Sequence, residues 1–568
     1  MVNAGAATFG NGTTGTSGVV SAANSLVGTD IEDRVGSLSA AALTNGNYVV
    51  CSPKWGDAHI VGAATNYGAA TFGNGMTGIS GTISAANSLV GVDYLDETCS
   101  GGVTALPNGN YVVVSPLWSG YALDDAGAVT LGNGTTGTTG QVTAANSLTG
   151  TSNYHQIGSG GVTVLANGNF VVSSPDYWAG IIFKSGAATL CSGTSGCPPT
   201  ISSANSLLGN EIEDKVSSGG VKALPNGNYV VISPQWDNFA VTDAGAVTLC
   251  SGEMATATVG QVTTSNSLFG QTAGDAVGFD GVTVLANGNY VVKSKFWRNS
   301  GQANAGAATF RSATDFDGLP VSPSNSLVGT TATDYVGETV VALTNGNYVV
   351  GSPHWSWGAI TDAGAVTFGN GTTGISGAVS PSNSLFGTSP YDLVGDVFAT
   401  PNGNYIVLSR YWDYLGGFAN LGAVTGASGN VGVTGAISSS NSVLGLSPDS
   451  GLLTTFVFDS ANNQIIVGHT RDNEITISRP FAPTTAANIS ISGQVVNGET
   501  SVPHASVTLT DSQGNVWTAK TSSFGYFKFE DVRAGQTLII QVTAKGLVFN
   551  PQVITAMEDI TELFFTAQ

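Results

Sequence analysis

The chain has 568 residues, of which only 9% are charged, and its formal net charge is −21. The 16 Lys and Arg residues are scattered along an acidic chain, which argues against nucleic-acid binding, because phosphate recognition needs clustered basic side chains. Hydrophobic residues make up 42% of the chain, and no apolar run approaches the roughly 20 residues of a membrane helix. We therefore expect packed domains and no membrane span.

The chain begins within a repeat, and its first residues lack the basic start and apolar segment of a signal peptide. We interpret it as a fragment of a larger exported protein that carries further domains. Few Lys residues and many Gly, Asn, Thr and Ser residues are associated with secreted bacterial proteins. An extracellular or cell-surface location is expected.

Three motifs recur at intervals of about 60 residues, the period of a large supersecondary unit. Gly-Ala-(Ala/Val)-Thr begins at Gly5, Gly68, Gly127, Gly186, Gly245, Gly306, Gly364 and Gly422. Asn-Ser-(Leu/Val)-x-Gly begins at Asn24, Asn87, Asn146, Asn205, Asn266, Asn325, Asn383 and Asn441. Asn-Gly-Asn-(Tyr/Phe) begins at Asn45, Asn108, Asn167, Asn226, Asn287, Asn345 and Asn402. Repetition in near register dominates the chain.

Each unit is predicted to contain four short strands, because β-rich runs alternate with Gly and Asn turns. The Asn-Gly dipeptide predicts a type I′ hairpin turn. Four strands in a unit of about 60 residues are typical of a β-propeller blade, so residues 1–480 are predicted to form an all-β propeller.

The phase of the repeats favours eight blades. The chain opens with one half of a unit and ends the array with the other half, at 456–470. The N-terminal strands would then complete the last blade and close the ring. A further run at 474–477 predicts one more strand, and a seven-bladed ring with an irregular last unit is the alternative.

The unit resembles the FG-GAP repeat of integrin-α-type propellers. The segments 334–337, 342–353 and 363–366 follow the order of that family's Phe-Gly, Gly-Ala-Pro and Gly-Ala-Val-Tyr stations. The family's calcium loop carries several aspartates, whereas Thr-Asn-Gly-Asn stands here, so no cofactor is expected and calcium is not supported. The repeats are also similar to an uncharacterised repeat of filamentous-haemagglutinin-like bacterial surface proteins, which implies a surface location and adhesion.

The composition changes after residue 480. Residues 481–487 are predicted to be a linker. Residues 488–568 resemble the carboxypeptidase regulatory-like domain, through 491–495, 502–509, 525–529 and 532–535. The resemblance implies a transthyretin-like β-sandwich that serves as a stalk or accessory module, without a catalytic zinc domain.

A Trp follows the third motif in seven units, at Trp55, Trp118, Trp178, Trp236, Trp297, Trp355 and Trp412. A residue that every unit shares is expected to pack between blades, although an indole can also stack on a sugar. Trp357 breaks the repeat and is the best single candidate for an exposed contact. With Trp355, Trp412 and Tyr414 it forms the predicted ligand-binding set.

A second repeated position holds an acidic residue, before each third motif. Its members are Asp33, Asp96, Asp214, Asp275, Asp334 and Asp392, with His155 in the third unit. Repeats would distribute these side chains instead of converging them on a metal or substrate, so capped turns are predicted. Neither a catalytic set nor a metal site is predicted.

The five cysteines do not form a disulfide framework. Cys191 and Cys197 are close enough in sequence to bridge a loop, and Cys51 is expected to be a buried thiol.

The sequence thus predicts a non-enzymatic extracellular scaffold or adhesin-like module that recognises protein or glycan through its loops. Two alternatives remain, an extracellular carbohydrate-active enzyme and a calcium-dependent integrin-like head.

Overall fold

The computed structural model describes residues 2–56, 66–120, 123–414, 419–480, 488–511, 516–533, 536–556 and 560–568. The predicted linker at 481–487 lies outside the described residues. Regular structure in the described part is β-strand, apart from two short 3-10 helices at Met254–Thr256 and Ser450–Leu453, which confirms the all-β class. The chain divides into two compact units, Met1–Val457 with Val467–Thr476, and Phe458–Ile466 with Ile477–Gln568.

The repeat region contains strands of two to six residues. In chain order these are β1 (Ala6–Thr8), β2 (Ser25–Val27), β3 (Ser39–Ala42), β4 (Tyr48–Ser52), β5 (Ala69–Gly73), β6 (Gly81–Thr82), β7 (Ser88–Val90), β8 (Gly102–Ala105), β9 (Tyr111–Ser115), β10 (Ala128–Gly132), β11 (Gly140–Gln141), β12 (Ser147–Thr149), β13 (Val162–Val164), β14 (Phe170–Ser174), β15 (Ala187–Cys191), β16 (Ser206–Leu208), β17 (Val221–Ala223), β18 (Tyr229–Ser233), β19 (Ala246–Cys250), β20 (Gly260–Gln261), β21 (Ser267–Phe269), β22 (Val282–Val284), β23 (Tyr290–Ser294), β24 (Ala307–Arg311), β25 (Leu319–Pro320), β26 (Ser326–Val328), β27 (Thr339–Ala342), β28 (Tyr348–Ser352), β29 (Ala365–Gly369), β30 (Gly377–Ala378), β31 (Ser384–Phe386), β32 (Asp396–Ala399), β33 (Tyr405–Ser409), β34 (Ala423–Ala427), β35 (Gly435–Ala436), β36 (Val443–Leu444), β37 (Thr454–Asp459), β38 (Gln464–His469) and β39 (Glu474–Ser478).

Each complete unit builds one sheet from a four-stranded antiparallel meander. In the sheet β27-β28-β29-β31-β35, the first four strands belong to one unit, and β35 of the next unit pairs in parallel with β31. The eight matched repeats thus lie in separate sheets. The short strand of the next unit thus extends the edge of the preceding sheet.

From the sheet of β1 to the sheet of β32, successive sheets pack face to face in chain order with an apolar core between each pair. One core joins Val112 and Val114 of β9 to Phe170 and Val172 of β14 in the following sheet. The Tyr-Val-Val strands are therefore buried on both faces, which explains their continuous run of β-branched and aromatic residues.

The two ends of the array do not share a sheet among the described strands. β1 pairs with β2, and β2 with β6 of the following unit, whereas β37, β38 and β39 form a sheet of their own. β39 follows β38 after a short turn and takes the neighbouring place that the ring-closure prediction assigned to an N-terminal strand. That pairing prediction was wrong for the described strands, because the local hairpin forms instead. The propeller, with eight or seven blades, stays a prediction.

The Asn-Gly turns differ from the predicted type I′ hairpin. Gly346 has a φ of 90°, and its N–H donates to the Leu343 carbonyl, while Asn345 is not in the left-handed region. This is a type I turn followed by a glycine bulge. Asn345 adopts ordinary backbone geometry because its side chain is used for hydrogen bonds described below.

Two pairs of cysteines are bonded, Cys51 with Cys99 and Cys191 with Cys197, while Cys250 is a buried free thiol. The prediction of a free thiol at Cys51 was therefore wrong. Cys51 lies in β4, and Cys99 lies in the loop that leads into the following sheet. The sequence did not reveal this pair, because 48 residues separate two positions that face each other between sheets.

The C-terminal unit contains strands β40 (Asn488–Asn497), β41 (Thr500–Ser501), β42 (Ser506–Asp511), β43 (Val516–Lys520), β44 (Tyr526–Arg533), β45 (Gln536–Thr543), β46 (Gln552–Ala556) and β47 (Ile560–Thr566). One sheet has the order β41-β40-β44 with β47 on β40, and the other has the order β43-β42-β45-β46. Residues of both sheets, such as Ile491, Leu509 and Phe527, share one apolar core. The carboxypeptidase regulatory-like identity stays a prediction.

Candidate ligand-binding surface

Two kinds of loop lie at the same end of each sheet. The loop between the second and third strands, 353–364 in the sixth complete unit, is called the Trp loop. The loop between the fourth strand and the next unit, 387–395, is called the Asp loop. Because β28, β29 and β31 are antiparallel neighbours, both loops emerge at one end, and the N–H of Tyr391 donates to the carbonyl of Thr361 at 3.0 Å. We call this the aromatic end.

The repeated Trp residues pack between sheets, as predicted, in six of seven units. Their exposed fraction is at most 6% at Trp55, Trp118, Trp236, Trp297, Trp355 and Trp412. In the third unit Tyr177 fills the equivalent interior position and Trp178 is displaced by one residue toward the surface. The structure therefore places Trp355 and Trp412, both 2% exposed, where a ligand does not reach them.

The repeated Asp side chains close the Asp loops, which confirms the predicted capped turns. The Oδ2 atom of Asp392 accepts the N–H groups of Thr388 and Ser389 at 2.7 and 2.8 Å. Its Oδ1 atom accepts the N–H of Asp413 at 2.8 Å, which ties the Asp loop to the residue after Trp412. Both carboxylate oxygens thus accept backbone hydrogen bonds, so the Asp392 side chain has a structural role.

Trp357 and Tyr414 are the members of the predicted set that reach the surface. They are 42% and 47% exposed, and each stands two residues after a repeated Trp. Trp357 packs edge-on against Phe386 with centroids 5.2 Å apart, and Tyr414 packs against Trp412 at 6.1 Å. The structure brings each residue against a buried aromatic ring of its own unit, which orients it without hiding it.

Further large apolar side chains are exposed at the aromatic end, at positions where the units differ. They are Ile31, Tyr94, Tyr154, Ile181, Ile212, Phe239, Phe279, Tyr391 and Tyr411. The opposite end carries the Asn-Gly turns and the Gly-, Thr- and Ser-rich loops, where Val19, Met76, Val431 and Phe316 are exposed. Aromatic side chains are concentrated at the aromatic end, which makes it the candidate binding surface.

A cavity of about 460 Å³ opens at the aromatic end between the fourth and fifth complete units. Phe279 and Phe296 form one wall, with their rings in a T-shaped contact at 4.7 Å. Pro234, Gln235 and Asp243 belong to the facing unit and also line the cavity. An apolar wall with few polar groups is the usual composition of a ligand pocket.

The phenylalanine pair is held by an ion-paired lysine. Lys295 Nζ lies 5.7 and 5.3 Å from the Phe279 and Phe296 ring centroids and 2.9 Å from the Asp280 carboxylate. The hydrogen bond from Lys295 to Asp280 raises the pKa of the lysine, so the cation persists. On the facing unit, burial raises the pKa of Asp243, and the neighbouring Asp237 carboxylate adds to this effect.

Sequence reasoning missed this cavity. At the Phe279 position other units have Ser37, Ser100, Ser159, Ser218, Glu338 and Asp396. The signal was present, because the fifth unit combines Phe279 with Phe296 before its repeated Trp. The spacing of motifs along the chain does not show which two loops face each other between sheets.

The Asn-Gly-Asn turns use their side-chain oxygens internally. Asn345 Oδ1 accepts the N–H of Asn347, and Asn347 Oδ1 accepts the N–H of Gly371. Both side-chain amides donate to the carbonyl of Gly429 in the following sheet at 2.8 Å. These turns join sheets, and no group of three or more His, Cys, Asp or Glu side chains in the described ranges is placed to hold a metal ion.

Comparison with known proteins identifies the repeat. Eight segments match a repeat of unknown function (DUF5650), at residues 1–37, 42–100, 105–159, 164–218, 223–279, 284–338, 342–396 and 399–452. No curated protein sequence matches the chain.

One similar solved structure is the extracellular domain of a protein described as a hybrid two-component system of B. thetaiotaomicron. It is 9% identical, with 92% of this chain and 68% of that chain covered and a TM-score of 0.22. A score this low supports no inference about fold or function. Among the described residues, no helix is long and apolar enough to cross a membrane.

Proposed function

Because the chain belongs to the DUF5650 family of repeats, described as of unknown function, we propose a function from its geometry. The protein is a non-catalytic extracellular scaffold with an adhesin-like role, and it recognises protein or glycan through the aromatic end. The observation that carries this proposal is the gathering of exposed aromatic side chains at one end, where the repeats differ.

Exposed aromatic residues support recognition because their large apolar area can be buried against a partner. Tyr and Trp are enriched among the residues that dominate binding energy. Trp357 and Tyr414 have this character, since each is fixed by an aromatic neighbour.

Two disulfides support an extracellular location. Cys51–Cys99 and Cys191–Cys197 would persist in an oxidising compartment and are rare in the cytosol. Further partners would be other domains of a larger parent chain. We further propose that the repeats form a propeller that acts as the binding head. The carboxypeptidase regulatory-like tail would be an accessory module.

The proposal is tested by binding of the whole chain to immobilised extracellular-matrix proteins and to a glycan array. We expect binding that weakens about tenfold or more when Trp357→Ala is combined with Tyr414→Ala, as for the loss of aromatic anchor residues. Phe316→Ala removes an exposed aromatic at the opposite end and serves as the matched control. Equal loss in both variants, or no binding by the parent chain, would overturn the proposal.

A carbohydrate-active enzyme is the second candidate, favoured by one observation. Asp243 lines the cavity, and its N–H donates to Asp237 Oδ1 at 2.7 Å, which places two carboxyl groups near one pocket. Glycosidases work through such pairs. Release of nitrophenol from aryl glycosides that disappears in Asp243→Asn would favour the enzyme, and no release would favour the scaffold.

A further inference from the structure

We propose that the cavity between Phe279, Phe296 and Asp243 binds one pyranose residue of a neutral glycan. This inference rests on the proposed recognition function. It names the chemical class of one ligand and the cavity that binds it.

The cavity has the size and the wall that a sugar ring requires. Its volume of about 460 Å³ accommodates a monosaccharide with its linkage atoms, within the usual range of ligand pockets. Phe279 is 52% exposed, so part of its ring is accessible for packing against the C–H face of a pyranose. Lys295 contacts both phenylalanine rings and is tied to Asp280, which limits their rotation before a ligand arrives.

The polar groups of the cavity suit hydroxyl groups. Ser218, Gln235 and Asp243 line it, and within the described part of the chain their side chains make no hydrogen bond to protein. A carboxylate accepts from two hydroxyls, and an amide both donates and accepts. These groups are therefore free to bind a polyhydroxylated ring.

The charge of the cavity selects against acidic sugars. Asp243 contributes a carboxylate to the lining and Asp237 lies beside it, whereas Lys295 is already paired with Asp280 at 2.9 Å. Lys215, whose charge acts on Asp243, is itself paired with Glu213 at 2.8 Å, so a carboxylate on the ligand would meet a net negative charge. Neutral pyranoses are the class that fits.

The decisive variant is Phe279→Ser, because serine occupies this position in four other units and is compatible with the loop. Phe239→Ser is the matched control, since it removes a phenylalanine that is 74% exposed in the facing unit but does not line the cavity. The probes are immobilised neutral oligosaccharides of glucose, galactose, mannose and N-acetylglucosamine. Binding is followed on the array and by saturation-transfer NMR with the free sugars.

We expect the intact chain to bind at least one neutral glycan, with affinity about tenfold or more weaker in Phe279→Ser and unchanged in Phe239→Ser. Asp243→Asn retains the shape and should weaken binding as well. Binding that survives Phe279→Ser, preference for sialylated or uronate sugars, or no neutral glycan bound would each overturn the inference. Attachment to matrix proteins that free sugars do not inhibit would leave the proposed function standing without it.

Discussion

One buried side chain closes each Asp loop, and the third unit shows what changes when it is not an aspartate. His155 is 2% exposed, its Nδ1 accepts the N–H of Thr151 at 3.3 Å, and its ring packs against Tyr177. Burial lowers the pKa of His155 to about 4, whereas burial raises the pKa of Asp214 and Asp392 to about 6. Burial favours the neutral form of all three side chains, and because His155 is neutral when deprotonated and the aspartates when protonated, the pH dependence of stability has opposite signs.

We therefore expect the His155→Asn variant to lose less stability at acidic pH than the parent chain does. An imidazole whose pKa falls from 6.5 to about 4 on folding contributes stability that is complete above pH 6.5 and disappears as the pH falls toward 4. The contribution is at most about 3 kcal/mol. Urea unfolding at pH 7.5 and 4.5 measures it, and the gap in unfolding free energy between the two pH values should be smaller in the variant. Parallel pH profiles would contradict the assignment.

At the scale of elements, the same two facing positions recur between successive sheets. One lies in the second strand of a unit and the other in the next Asp loop. They hold Cys51 and Cys99 in one interface and Ser173 and Ser217 in another, where the hydroxyls lie 2.6 Å apart. The disulfide is thus a local variant of a contact that the fold provides repeatedly.

Replacing both Ser173 and Ser217 by cysteine should create a second disulfide between sheets, in addition to Cys51–Cys99. The geometry is that of the native Cys51–Cys99 pair, and closing the intervening loop should raise the free energy of unfolding by about 2–4 kcal/mol. Peptide mass analysis should find the pair linked after oxidation, and thermal unfolding should shift upward. Ser173→Cys alone loses the hydroxyl contact and serves as control. Two persistently free thiols in the double variant would show that the positions are not equivalent.

Strands and interior Trp residues were predictable from the sequence because they depend on the period within a unit. The Asn-Gly turn was not, since the Asn345 amide is recruited by Gly429 of the following sheet and favours a different turn. The Cys51–Cys99 bond and the phenylalanine cavity were missed for the same reason. Each depends on which loops face each other across a sheet interface, and spacing along one chain does not contain that information.

At the scale of the whole repeat region, successive sheets contact each other through apolar faces and carbonyl-linked Asn-Gly-Asn turns, and six of the described sheets also include a short strand of the following unit. Stability in such an array is a sum of units and nearest-neighbour interfaces. A propeller closed by pairing of its ends would add one interface on which all blades depend. The described strands show β1 and β39 in different sheets, so the array lacks that pairing.

Deleting one period, residues 127–185, tests this distinction, because Gly186 then takes the place of Gly127 and the motifs stay in register. The deletion removes His155 and Trp178 but no cysteine and no residue of the phenylalanine cavity. For an array of nearest-neighbour interfaces we expect a monomer that unfolds cooperatively a few degrees lower, by calorimetry and light scattering. A deletion of the same length at 130–188 starts within a strand, puts Thr189 in the place of Thr130, also removes no cysteine and gives an independent junction. Misfolding or association in both deletions would instead support a ring that every unit is needed to close.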